Sequence, residues 1–113
     1  MPQSLALVLV YIIFSTKNRA AFMQAPDLRS EVNAYLTATL RGLECRPLQV
    51  GGVADHIHIL AGLSRTTCLA ELVKNLKTSS TKAVKDKGHL HFGWQTGYGA
   101  FSVSQSLKDS VIS

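Results

Sequence analysis

The sequence predicts an α+β chain of the ferredoxin-like type, β-α-β-β-α-β, with an antiparallel sheet covered by helices on one face. Three observations carry the prediction. An apolar, β-branched run opens the chain. Two later stretches repeat apolar residues at helical spacing. Between them, two β-prone stretches flank Gly51-Gly52. With 113 residues the chain is read as one domain, residues 1–113, with a single modest core.

The first strand is Leu5 to Phe14, ten apolar residues in a row. No charge precedes it, Lys17 and Arg19 follow it, and a membrane span needs about twenty apolar residues, so it reads as a buried strand. No membrane partner is expected, and with no targeting segment the expected location is the cytoplasm. Ser15 to Gln24 reads as a loop. Pro26 and Asp27 suit the first turn of a helix. Leu28, Val32, Tyr35, Leu36, Thr39 and Leu43 form its apolar stripe, and Gly42 marks its end. Cys45 to Val50 reads as a strand, Gly51-Gly52 as a turn, and Val53 to Leu63 as the partner strand of a hairpin. Leu69, Leu72, Val73, Leu76, Ala83 and Val84 place a second helix near Thr67 to Lys85. Strands are expected near Leu90 to Trp94 and Tyr98 to Val103, with a turn around Gly97. Ser106-Leu107-Lys108-Asp109 reads as a capping box opening a last helix, which the sequence cuts short at Ser113.

Composition narrows the function. Twelve Lys and Arg against seven Asp and Glu give a net charge of +5, which favours an acidic partner, nucleic acid first. Apolar residues at 46% and charged residues at 17% exclude a disordered basic tail. Two cysteines, Cys45 and Cys68, are too few for a disulfide framework or a zinc knuckle.

The sharpest motif is Asp55-His56-Ile57-His58-Ile59-Leu60. Side chains alternate along a strand, so His56 and His58 share one face while Ile57 and Ile59 point into the core. Two neighbouring imidazoles suit a divalent metal with positions left open for a phosphate. Two half-buried, hydrogen-bonded histidines are the plainer account. Asp55 is placed to orient a histidine, or is simply a turn residue. His89 and His91 form a second H-x-H, read as exposed loop histidines rather than half of a four-histidine site. Five lysines lie between Lys74 and Lys87, with Lys74, Lys77 and Lys85 near one helical face. That face is either solvated or a track for phosphates, together with Lys17 and Arg19. Trp94, Tyr98 and Phe101 are either core aromatics or stacking platforms for unpaired bases.

Four ordered segments resemble a known family: Phe14 to Arg19, Asp55 to Leu60, Leu76 to Ser80, and Phe92 to Ser104. Together they are similar to the single-tyrosine HUH transposases of small insertion sequences, including relatives associated with repetitive extragenic palindromes. The resemblance implies a ferredoxin-like fold, transposition through single-stranded DNA with hairpins, and a homodimer. It implies that His56 and His58 hold Mg²⁺ or Mn²⁺, and the basic track of Lys17, Arg19, Lys74 and Lys77 is then the expected DNA contact. The resemblance also implies a nucleophilic tyrosine on the C-terminal helix, just after Ser113 by the family spacing, with a glutamine one turn later. Tyr98 matches a family tyrosine that is not the nucleophile, and Tyr11 stands where a histidine is expected. Two other classes remain open: a non-catalytic single-stranded-DNA-binding module of the same fold, and a metal-dependent phosphoesterase.

Overall fold

The structure, a computed structural model, describes residues 8–103. The elements run β1 (Val8–Ser15), a 3-10 turn (Lys17–Arg19), α1 (Pro26–Gly42), β2 (Arg46–Gly52), β3 (His56–Leu63), α2 (Leu69–Asp86) and β4 (Gly99–Val103). The sheet order is β2-β3-β1-β4, and every neighbouring pair is antiparallel. This is the expected ferredoxin-like arrangement. The helix expected from Ser106 lies outside the described residues, as do Leu5 to Leu7 of the first expected strand.

The core follows from the two periodicities. Val10, Ile12 and Phe14 of β1 and Ile57, Ile59 and Ala61 of β3 turn to the same side of the sheet. Leu28, Val32, Leu36 and Leu40 of α1 and Leu72, Val73, Leu76 and Val84 of α2 cover them. Each such aliphatic side chain removed from water contributes about 1.5–3 kcal/mol before entropy is counted. Both helices therefore lie on one face, and the alternate residues of β1 and β3 belong to the other.

Three local expectations are corrected. Leu90 to Trp94 is not a strand; only Trp94 forms a bridge, to Thr16 just after β1. Leu90 is exposed, while Phe92 and Trp94 meet edge to face with centroids 5.0 Å apart, so the segment is anchored by rings instead of a ladder. Gly51-Gly52 is not the hairpin turn but the end of β2; the turn is Val53 to Asp55. Tyr35 is exposed and not part of the buried stripe of α1. Gly42 is the last helical residue, as expected, and the left-handed residue that follows the cap is Glu44, at φ 60°. Its N–H donates to the Arg41 carbonyl, and that of Cys45 donates to the Leu40 carbonyl, the pairing of a Schellman cap. Both cysteines are free thiols, Cys45 buried and Cys68 exposed.

Candidate functional site

β3 is a central strand, so its alternation is strictly imposed by the core beneath it. Burying Ile57 and Ile59 fixes His56 and His58 on the opposite face, with ring centroids 6.4 Å apart. On neighbouring β1, Ser15 stands opposite His56 and Ile13 opposite His58. Tyr11 also faces this side. Its ring stacks near His58 at 6.4 Å, with an interplanar angle of 23°. The β1–β3 register that sets Tyr11 beside His58 has no local signal in the sequence.

Asp55 ties the dyad to the loop after β1. One carboxylate oxygen, Oδ1, lies 3.0 Å from His56 Nδ1, and Oδ2 accepts from Arg19 Nε at 3.0 Å. The hydrogen bonds from His56 and Arg19 hold the Asp55 carboxyl below its ordinary pKa. An ionised carboxylate accepts, so Nδ1 carries the proton and the Nε2 lone pair of His56 is left to coordinate a cation. Burial, with the neighbouring His56 charge second, lowers the pKa of His58 and favours its neutral, coordinating form.

Gly51 makes room for the second ring. It pairs with His58 across β2–β3, and a Cβ there would lie 3.1 Å from His58 Nε2. At Gly52 a Cβ would come within 2.6 Å of the His56 carbonyl oxygen. The two glycines are thus required by close approach, not by a turn. Two imidazole nitrogens and the space beside them fit a divalent cation. Among the described residues no group of three or more His, Cys, Asp or Glu could hold one. Among the described residues the remaining positions are left to water or phosphate. That also removes a four-histidine site built with His89 and His91, which lie exposed in the turn after α2.

The basic residues separate. Lys17 and Arg19 are exposed at the dyad end of the sheet, in a turn where Asn18 and Arg19 both have positive φ, 57° and 56°. Lys74 stands exposed on α2, in the helical layer beyond the sheet from the dyad. Lys77 is engaged: its ammonium donates to the Gln95 carbonyl at 2.9 Å and the Gly97 carbonyl at 2.7 Å, and lies over the Phe14 ring. Burial lowers its pKa. These carbonyls belong to an outward bulge. Between the Thr16–Trp94 bridge and the Ile13–Gly99 pair, five steps along one chain oppose three along β1. Trp94 closes the inner side, its indole N–H donating to the buried Ser80 hydroxyl at 2.9 Å. That hydroxyl donates to the Leu76 carbonyl at 2.7 Å. Trp94 is therefore a core aromatic, while Tyr98 is 42% exposed on the bulge.

No helix among the described residues is long and apolar enough to cross a membrane. Two solved structures share the fold. A chain from Deinococcus radiodurans R1, presented as a candidate transposase, superposes with a TM-score of 0.82 at 17% identity, covering 96% of this chain and 88% of that one. A tyrosine transposase associated with REP sequences, bound to a REP hairpin, superposes with a TM-score of 0.68 at 13% identity. That match covers 93% of this chain and 61% of the other. No curated protein matches. The family model described as IS200-like transposase matches residues 4–113, and the chain belongs to that family.

Proposed function

We infer that the chain acts on single-stranded DNA carrying hairpins, as a transposase that cleaves and rejoins strands with the help of Mg²⁺ or Mn²⁺. The carrying observation is the pair of imidazoles on one sheet face, with His56 oriented by Asp55 and His58 given room by Gly51. His56 and His58 would hold the cation, which when bound would draw charge from a scissile phosphate. Asp55 keeps the His56 proton on Nδ1. Arg19, its side chain 64% exposed beside Asp55, and Lys17 neutralise phosphates at the same end of the sheet. Lys74 extends the basic surface on the helical layer. In this reading the nucleophile is a tyrosine following Ser113 in the family pattern, and two copies of the chain work together. The hairpin in the REP-bound relative supports the choice of DNA structure.

The test uses hairpin-bearing single strands, with and without Mn²⁺, on native and denaturing gels. Preference for single strands over blunt duplex is expected, with a Mn²⁺-dependent gain that His56→Ala and His58→Ala abolish. Equal binding to duplex would contradict the reading. Binding indifferent to both histidines and to Mn²⁺ would favour the non-catalytic module. A covalent adduct that persists in the Tyr11→Phe, Tyr98→Phe double variant would contradict the placement of the nucleophile. Light scattering during gel filtration measures the expected homodimer.

A further inference from the structure

We propose that the concavity under the 95–98 bulge receives one unpaired DNA base, beside the phosphate addressed by the histidine face; this rests on the single-stranded-DNA reading above. The hollow measures about 240 Å³, and Ile13, Ser15, Gln95, Gly97, Tyr98 and Gly99 contribute to its wall. Ile13 pairs with His58 and Ser15 with His56, so the hollow begins one strand away from the dyad, about 4.8 Å across the sheet. A nucleotide whose phosphate meets the imidazoles can thus set its own or its neighbour's base in the hollow.

The shape and chemistry of the walls suit a base. Tyr98 offers an exposed aromatic ring and Ile13 an aliphatic side chain, surfaces on which any base stacks. Ser15, Gln95 and Thr96 add polar groups at the rim, able to meet a base edge. A volume below the roughly 300–1,000 Å³ of drug-sized sites matches one planar group. Gly99 keeps the floor open, since a Cβ there would lie 3.1 Å from Ile13 Cγ2.

The hollow is also built in advance. Lys77 holds the bulge through the Gln95 and Gly97 carbonyls. The Gln95 N–H donates to the Ser15 carbonyl at 2.8 Å, and Gln95 Oε1 accepts from the Asn18 N–H at 3.1 Å. The bulge is therefore pinned to α2, to β1 and to the 3-10 turn that carries Lys17 and Arg19. A pinned pocket loses little freedom when filled. In a duplex the bases are stacked and paired, so only an unpaired one can enter.

Two labelled probes, one hairpin extended by twelve thymidines or by twelve abasic spacers, test this by fluorescence anisotropy with Mn²⁺ present. They carry the same phosphates and differ in bases alone. The wild-type chain is expected to bind the thymidine probe about tenfold tighter, the effect of one stacking contact. Tyr98→Ala should bring the thymidine probe to the abasic level and leave the abasic probe unchanged, while Tyr98→Phe keeps the preference. Gly99→Val, checked for folding by circular dichroism, should act like Tyr98→Ala. Equal binding of both probes by the wild-type chain would overturn the base pocket and leave the DNA reading standing. A preference that survives Tyr98→Ala would also overturn it. Binding to neither probe would overturn both.

Discussion

Lys74 and Lys77 are three residues apart on one helix, and the sequence gives them the same task. The structure separates them, and Lys77→Met measures the separation. The substitution keeps an unbranched side chain over Phe14 and removes the ammonium that meets two carbonyls at 2.9 and 2.7 Å. A hydrogen bond from a charged donor contributes about 1.5–3 kcal/mol when sheltered. Both bonds lie at the surface, where solvent screens them, so the pair together is worth about 1–2 kcal/mol. Urea unfolding should show that loss as a lower midpoint with an unchanged slope, and Tm should fall by about 4–10 °C. Lys74→Met touches no such bond and should stay within about 0.5 kcal/mol of the parent. Equal stability of Lys77→Met and the parent would refute the idea that this lysine fastens the bulge, and return it to the solvated face.

Three further outcomes follow from particular contacts. Ser80→Ala strands the Trp94 indole N–H and should cost about 1–3 kcal/mol; in a double-mutant cycle with Trp94→Phe the two losses should fall short of additive by about 1 kcal/mol, and strict additivity would deny the bond. Because the folded-state pKa of His58 is lowered, the unfolded chain takes its proton first as pH falls below about 6.5. Stability should therefore decline through that range until the folded pKa is passed, and His58→Ala should remove this part of the decline in pH-dependent urea midpoints. Gly51→Ala places a methyl 3.1 Å from His58 Nε2, so it should weaken Mn²⁺ binding about tenfold with little change in Tm; calorimetric titration giving parental affinity would show that the glycine is not needed for the ring.

Much of the architecture was readable because it is local. The stripe Leu28, Val32, Leu36 sets α1, and alternation around Ile57 and Ile59 sets the shared face of His56 and His58. The errors arose where a residue answers to a distant partner. Phe92 and Trp94 look like strand residues because they alternate, yet ring contacts and Ser80 hold them. Gly51 and Gly52 look like a turn because glycine usually marks one, yet a histidine ring and a backbone carbonyl demand them. Tyr11 joins the dyad, and Lys77 the bulge, only once strand register and helix packing are known.

The claim on which the rest stands is that His56 and His58 act as one cation site. Mn²⁺ titration of the chain carrying ¹⁵N-labelled histidine, followed by imidazole NMR signals, tests it directly, with the exposed His89 and His91 as internal references. Selective broadening of His56 and His58 at substoichiometric Mn²⁺ is the predicted result. Equal broadening of all four rings, or of none, would contradict the account.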